Sequence, residues 1–104
     1  MDIEKYAVMV IAYAGDSKSA SMEAIEAARN GDFEEVEKLF KKSDESLRKA
    51  HEVHTNLLVE NARDENKGVP MIVVHASNHF SSAELTRDFS QQIINIYKEL
   101  KNTH

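Results

Sequence analysis

The amino-terminal part of the chain is patterned as an amphipathic helix over residues 2–30. One face of this helix is defined by apolar residues at helical spacing, namely Ile3, Tyr6, Val10 and Tyr13. Three neighbouring residues widen that face, namely Ala7, Ile11 and Ala14. Gly15 interrupts the pattern, and because a glycine costs a helix interior about 1 kcal/mol relative to alanine, the pattern predicts one helix or two stacked with a kink. Small residues return beyond it, and Gly31 after Asn30 predicts the end of the helix.

A second helix is predicted to begin at Asp32, because an Asp followed three positions later by a Glu is a capping-box pattern. Its apolar ladder consists of Phe33, Val36, Phe40, Leu47, Ala50 and Leu57. The same seam contains the polar residues Ser43 and His54, and His51 and Leu58 lie at its edge. A regular ladder of threes and fours is typical of helix bundles. We expect this helix to end within residues 61–64, at a polar loop over residues 63–68.

A third helix is predicted from Pro70, which suits a first helical turn because its missing N–H costs nothing there. Two ladders of threes and fours follow. The first is Ile72, Ala76, His79, Ala83, Thr86, Ser90, Ile93, Tyr97 and Leu100. The second is Met71, Val74, Asn78, Ser82, Leu85, Phe89, Gln92 and Ile96. A helix of a lone bundle needs one wide stripe, so either one broad stripe faces one core or this helix also packs against another subunit.

These patterns predict an all-α fold, an antiparallel up-down-up three-helix bundle that occupies residues 1–104 as a single domain. Only three glycines and one proline are present, which leaves few places for turns and favours a few long helices. A chain of 104 residues buries a modest core on its own. We therefore expect the bundle to associate with further copies of itself.

The composition and net charge of the chain argue against several classes of protein and of site. The chain is 41% hydrophobic and 30% charged, which suits a helical globular protein rather than a disordered one. Its net charge of −5 argues against a nucleic-acid partner, which requires a basic face. There is no cysteine, hence no disulfide or thiolate site. The apolar run at residues 6–14 is shorter than the roughly 20 residues of a membrane span, and its acidic flank is unlike a signal peptide.

The third helix concentrates reactive side chains near its start. His75 and His79 are four positions apart and share a helix face, and a neutral imidazole serves as nucleophile, base or metal ligand near pH 7. Two such histidines can bind zinc, and His51 and His54 could supply further ligands. The zinc-protease motif needs a Glu directly after its first His, whereas Ala76 follows here. A four-histidine site across two helices stays open as an alternative.

A covalent phosphate carrier is a second possibility for His75. Such a carrier needs an accessible neutral imidazole and neighbours that hold the phosphoryl oxygens by hydrogen bonds. Because phosphoryl transfer rests mostly on positioning and electrostatics, a small bundle without a cofactor suffices. His79 and the hydroxyls of Ser81, Ser82 or Thr55 are candidate donors. The plain alternative is a non-enzymatic interaction module whose histidines are hydrogen-bonded interior residues.

Five segments stand in a distinctive order and spacing along the chain. They are Ile11–Ser19, Met22–Ala24 with Ala27, Gly31–Glu34, Ala50 and His51 with Thr55 and Leu58, and Val74–Phe80. Together they resemble enzyme IIA of the lactose/cellobiose (chitobiose) family of the bacterial sugar phosphotransferase system, over nearly the whole chain. The last segment is the most specific, because the family motif there reads His-Ala-Gln-Asp-His-Leu.

The resemblance implies a cytoplasmic phosphotransferase component. Family members accept a phosphoryl group from the phosphocarrier protein HPr on the first histidine of that motif, which is His75 here. They pass it to the cognate enzyme IIB, which phosphorylates the sugar during uptake by the membrane component IIC. The second motif histidine, here His79, is expected to help hold the phosphoryl group. The family protein is a homotrimer of three-helix subunits with the active histidine near a subunit interface.

Three positions depart from the family pattern. Asn78 replaces the motif aspartate, and in the family one such carboxylate from each subunit meets the others at the threefold axis around a magnesium ion. Carboxylates that close together repel one another unless a cation lies between them, whereas three asparagines can hydrogen-bond across the axis. We therefore expect a trimer without magnesium and no other cofactor. Ser77 and His54 also replace family glutamines, which alters the surroundings of the phosphoryl group.

Overall fold

The computed structural model describes residues 2–63 and 68–102, and these form three α-helices. They are α1 (Ile3–Arg29), α2 (Phe33–Ala62) and α3 (Met71–Asn102). The helices run up, down and up in an elongated bundle of 61 × 17 × 15 Å. The predicted all-α three-helix architecture is confirmed. α1 continues through Gly15, so the first pattern forms one helix and not two.

The connection between α1 and α2 follows local sequence signals. Gly31 has φ +80°, a left-handed conformation that glycine adopts without steric cost. Its N–H donates to the Ala28 carbonyl at 3.0 Å, and the Asp32 N–H donates to the Ala27 carbonyl at 2.9 Å, the pair of bonds that closes a helix C-terminus. The Asp32 carboxylate then accepts from the Glu35 N–H at 3.2 Å. The predicted end of α1 and start of α2 are therefore confirmed.

The connection between α2 and α3 is described only in part. α2 ends at Ala62, and residues 64–67 of the predicted polar loop lie outside the described residues, as does His104. α3 begins at Met71, one residue after Pro70. The Pro70 carbonyl accepts from the Val73 N–H at 3.0 Å, so the proline directly precedes the first turn instead of lying inside it.

The apolar core consists of two clusters, one near each end of α1. The first comprises Ala7, Val10, Ala50, Leu57, Val73, Ala76 and Phe80. The second comprises Ala24, Ala28, Val36, Phe40 and Ile94. α1 contributes three alanines and Val10 to these clusters, and the small alanine side chains let the backbones of α2 and α3 come close to it. The start of α1, the end of α2 and the start of α3 therefore meet at one end of the bundle.

Between the two clusters, α1 and α2 share a buried group of hydroxyls. The Ser43 Oγ lies 3.0 Å from the Ser17 Oγ and 2.6 Å from the Ser21 Oγ. It also donates to the Ser17 carbonyl at 2.9 Å. Because a hydroxyl has one proton and two lone pairs, Ser43 can donate to that carbonyl and accept from both other serines. All three hydroxyls are therefore satisfied in the interior.

The face that α3 buries differs from the first predicted ladder. Val73, Phe80 and Ile94 are buried, although neither ladder included them, and Ile93 is 38% exposed. The ladder members that are fully buried are Ala76, Ala83 and Ser90. A buried stripe about 100° wide covers adjacent positions of a helix. A pattern of threes and fours shifts slowly around the helix axis, so it fits more than one such stripe. The buried face is therefore rotated by about one residue from the prediction.

The second ladder lies outside the core of this chain. Its large apolar members are exposed, with exposed fractions of 56% for Leu85, 61% for Phe89 and 56% for Ile96. The full set, here named the α3 stripe, is Met71, Val74, Asn78, Ser82, Leu85, Phe89, Gln92 and Ile96. Within the single chain α3 therefore buries one stripe, and the packing of the α3 stripe against another subunit stays a prediction.

α1 is the helix along which the other two pack, while α2 and α3 meet each other in fewer places. One of these places is an ion pair. The guanidinium of Arg87 binds Asp44 at two points, with Nε 2.7 Å from Oδ1 and Nη2 3.3 Å from Oδ2. It also lies 4.8 Å from the ring centre of Phe40, so α3 is fixed to α2 by charge and by stacking. Within the described helices, none is long and apolar enough to cross a membrane.

Candidate functional site

His75 and His79 lie one turn apart on α3 and contact each other. Their Nε2 atoms are 3.2 Å apart, and the rings meet edge to face with centroids separated by 4.6 Å. His75 is exposed, whereas His79 is half-buried. Because a neutral imidazole carries one N–H and one lone pair, this contact pairs a donor ring with an acceptor ring. The site therefore has one accessible imidazole and one that supports it.

A pocket of ≈ 320 Å³ lies beside the histidine pair. It is lined by Lys18, His75, Asn78, His79 and Ser82. Each of the four α3 residues lies three or four positions from another of them, so the four lie on one side of the helix. The lysine comes from α1. The Nζ of Lys18 donates to the Ser82 Oγ at 2.9 Å. The pocket thus combines two imidazoles with a cation, a hydroxyl and an amide.

The sequence identified Ser82 as a candidate donor but did not identify Lys18. A lysine in a polar stretch gives no sign of its tertiary neighbours, and this one is brought to the pocket only by the packing of α1 on α3. The signal that could have found it is the segment Ile11–Ser19, which contains it and carries part of the family resemblance.

The other predicted donors are not part of this pocket. Ser81 is exposed on α3 and is not among the pocket-lining residues. Thr55 is on α2, where its hydroxyl donates to the His51 carbonyl at 3.0 Å. Thr55 and His51 line a separate pocket together. Of the predicted hydroxyl donors, the structure therefore brings only Ser82 to the histidine pair.

The two α2 histidines form a different cluster around Phe80. The ring centroids of His51 and His54 lie 5.6 Å and 4.9 Å from that of Phe80. The Nε2 of His54 is 2.8 Å from the Ser77 Oγ. Across residues 2–63 and 68–102, no three His, Cys, Asp or Glu side chains come together as a metal site. The four-histidine zinc site is therefore wrong, because Phe80 occupies the space that the α2 imidazoles face.

The surroundings of His54 favour its neutral imidazole. Burial lowers the pKa of His54 below its ordinary value of 6.5, the nearby His51 lowers it further, and Glu84 acts in the opposite direction. His54 is therefore neutral at pH 7, and its ring can either donate to Ser77 or accept from it.

Asn78 lies where the pocket and the α3 stripe meet. It lines the pocket beside His75 and is exposed on the stripe. Its side chain offers a neutral amide where the resemblance implies a carboxylate that binds magnesium. Magnesium is held in proteins mainly through carboxylates and phosphates, so this amide does not fit the ion.

The family described as "PTS system, Lactose/Cellobiose specific IIA subunit" matches residues 5–98. The chain belongs to this family, which confirms the resemblance drawn from the five sequence segments.

Relatives with stated specificities agree with this assignment. The lichenan-specific phosphotransferase enzyme IIA component of Bacillus subtilis is 33% identical over 99 residues, which cover 95% of this chain and 90% of that protein. The lactose-specific EIIA component of Staphylococcus epidermidis is 32% identical over 90 residues, which cover 86% of each chain.

Solved structures share the whole fold. The cellobiose-specific enzyme IIA of Bacillus anthracis superposes with a TM-score of 0.90 and 26% identity, over 100% of this chain and 95% of that one. A chain of the IIA(Chitobiose)–HPr complex of Escherichia coli superposes with a TM-score of 0.86 and 27% identity, over 97% of this chain and 98% of that one.

Proposed function

We propose that this IIA component carries a phosphoryl group on His75, which it accepts from HPr and passes to its cognate enzyme IIB during sugar uptake. The observation that carries this proposal is the 3.2 Å contact between the Nε2 atoms of His75 and His79. It combines an exposed nucleophile with a half-buried partner. The chitobiose relative, whose structure is a complex with HPr, supports the same donor here.

The transfer itself is a displacement at phosphorus. The bond between phosphorus and the donor atom of phospho-HPr breaks, and the donor atom keeps its electron pair. The lone pair of His75 Nε2 forms the new nitrogen–phosphorus bond, while the proton on Nδ1 of the same ring stays in place. No proton has to leave the site, so positioning and charge stabilisation are the work required of the protein.

His79 supports both states of this reaction. An N–H at its Nε2 donates to the lone pair of His75 Nε2, which selects the tautomer of His75 that has its proton on Nδ1. When the phosphoryl group occupies His75, the same N–H donates to a phosphoryl oxygen instead. A donor held in place before the reaction has little reorganisation to undergo as negative charge arrives.

We propose further that the protein is a homotrimer in which the α3 stripe packs at the subunit interfaces. Three large apolar residues of the stripe, Leu85, Phe89 and Ile96, are each more than half exposed in the single chain. Monomeric proteins rarely expose contiguous apolar surface of this kind, and spacing in threes and fours suits helix–helix packing. Since Asn78 belongs to the stripe and to the pocket, the histidine pair would lie near an interface.

At the trimer axis we propose asparagine in place of a metal ion. Three Asn78 side chains have both donors and acceptors and can hydrogen-bond to one another, and they carry no charge that a cation must neutralise. A buried polar residue at one position of a helical seam also fixes register and oligomeric state. The proposed carrier therefore works without magnesium or another cofactor.

These proposals place the protein in the cytoplasm with HPr and enzyme IIB as its partners. The membrane component IIC is reached only through IIB, and no nucleic acid is involved. The net charge of −5 suits docking with a basic protein surface.

The proposed function is tested by incubating the protein with enzyme I, HPr and phosphoenolpyruvate. The expected product is an acid-labile phosphoprotein, formed by the wild type and by His51→Gln but not by His75→Gln. The His51 variant is the matched control because it removes an exposed histidine at another pocket. Labelling that survives His75→Gln would refute the assignment.

A further inference from the structure

Among the residues that the structure describes, Lys18 is the one lysine or arginine that lines the pocket of the histidine pair. It reaches the pocket from α1, and its Nζ donates to the Ser82 Oγ at 2.9 Å. Ser82 lies three positions after His79, on the same face of α3. Among the carboxylates of the described ranges, none forms an ion pair with Lys18. The ammonium therefore enters the pocket with its charge uncompensated.

The phosphoryl group that His75 is proposed to carry brings negative charge and three acceptor oxygens. The N–H of His79 serves one of them. An ammonium group has three N–H donors and can keep its bond to Ser82 while it donates to the phosphoryl group. A charge-assisted hydrogen bond of this kind is about twice as strong as a neutral one. The pocket thus supplies hydrogen-bond donors for the phosphoryl oxygens, and among the described residues Lys18 is its one lysine or arginine.

We infer that Lys18 binds the phosphoryl group on His75 as its counter-cation, and that Ser82 positions Lys18 for this contact. The inference rests on the proposed function and extends it to a residue of α1. In the unphosphorylated protein the ammonium is held by the Ser82 hydroxyl, so it is already close to the pocket when the donor docks. After transfer, the ammonium stabilises phospho-His75 against return of the group to HPr.

The inference predicts that Lys18 shifts the phosphorylation equilibrium between HPr and this protein toward phospho-His75. Lys18→Met removes the charge but keeps an unbranched side chain on α1. It is expected to lower the equilibrium ratio of phosphorylated to free protein, at a fixed ratio of phospho-HPr to HPr, by about tenfold, the scale of one hydrogen bond to a charged group. Lys18→Arg restores a cation with several donors and should recover most of the loss.

A ³¹P NMR titration and a control variant distinguish the effect of the Lys18 charge from a purely structural role of the side chain. In the phosphorylated protein, a cation beside the phosphoryl group favours its more ionised form, so a ³¹P NMR titration of Lys18→Met should be displaced to higher pH than that of the wild type. Lys5→Met is the matched control, since Lys5 is an exposed lysine of α1 outside this pocket. It should leave both the equilibrium ratio and the titration unchanged.

The decisive experiment measures the phosphorylation equilibrium with HPr for the wild type, Lys18→Met, Lys18→Gln, Lys18→Arg, Ser82→Ala and Lys5→Met. A loss in the two neutral Lys18 variants, a smaller loss in Ser82→Ala and recovery in Lys18→Arg support the inference. Wild-type equilibrium and ³¹P titration in both neutral variants would overturn it and leave the proposed function standing. If phospho-HPr fails to label the wild type, the proposed function fails and the role of Lys18 fails with it.

Discussion

The Nε2 of His54 on α2 lies 2.8 Å from the Oγ of Ser77 on α3. By the resemblance, Ser77 replaces a glutamine of the histidine motif and His54 replaces a glutamine of the second helix, and the structure brings these two positions into contact. An imidazole that stacks on Phe80 reaches a short hydroxyl on the neighbouring helix. The pair therefore forms a polar link between α2 and α3 two residues from His75.

The burial of His54 should make the stability of the bundle depend on pH. Burial and His51 lower the pKa of folded His54 below 6.5, so the unfolded chain binds the proton more readily. The stabilisation is fully present above pH 6.5 and is lost as the pH falls from there through the folded pKa. The free energy of unfolding in urea should therefore decrease more steeply from pH 7.5 to 5.5 in the wild type than in His54→Gln.

His54→Gln is a suitable control for that measurement, because an amide can still hydrogen-bond to Ser77 but does not titrate. Identical pH slopes in the two proteins would show that His54 keeps an ordinary pKa in the fold.

The contact between His79 and His75 should govern the rate of transfer. His79→Leu removes the N–H that is proposed to select the tautomer of His75 and later to bind a phosphoryl oxygen. We expect the rate of labelling by phospho-HPr to fall by about 10²-fold, the scale of losing one preorganised donor. His79→Gln keeps an N–H donor on a side chain of similar reach and should be less impaired. Equal rates for the wild type and both variants would remove His79 from the mechanism.

The α3 stripe should be necessary for the trimer. Phe89 is 61% exposed on the stripe, and Val59 is 47% exposed on α2 away from it. Sedimentation velocity should give a trimer for the wild type and for Val59→Asp, and a monomer for Phe89→Asp, because a buried aspartate at an apolar interface is strongly unfavourable. A wild type that stays monomeric at micromolar concentration would contradict the proposed assembly.

A single substitution should convert the proposed metal-free axis into a metal-dependent one. Asn78→Asp places three carboxylates together, and these repel one another unless a cation binds between them. The melting temperature of Asn78→Asp should rise with magnesium and fall with EDTA, whereas that of the wild type should respond to neither. A wild type destabilised by EDTA would show that the axis binds a metal despite its amides.

The boundaries of the helices could be predicted because they depend on neighbouring residues in the chain. Gly31 and Asp32 close one helix and open the next through their own backbone and side-chain bonds. The rotation of α3 could not be predicted to the residue, since a pattern of threes and fours fits several adjacent faces of one helix. Phe80 illustrates this, because its burial depends on the rings that α2 places over it.

The site was predictable where its residues share one helix and unpredictable where they do not. The spacing of His75 and His79 was enough to place them on one face, and the structure brings their Nε2 atoms to 3.2 Å. Lys18 lies 57 residues before His75 in the chain, and only the packing of α1 against α3 brings it to the pocket. The separation of the α2 histidines from the pair likewise depends on tertiary packing around Phe80.

The most direct test of His75 as the phosphoryl carrier is to locate the phosphoryl group in the protein labelled by phospho-HPr. Nitrogen-resolved NMR of the histidine side chains, recorded at alkaline pH where phosphohistidine persists, identifies both the residue and the ring atom. We predict a single phosphorylated imidazole, that of His75, with phosphorus on Nε2. Phosphorus on His51, His54 or His79, or on no histidine at all, would contradict the account.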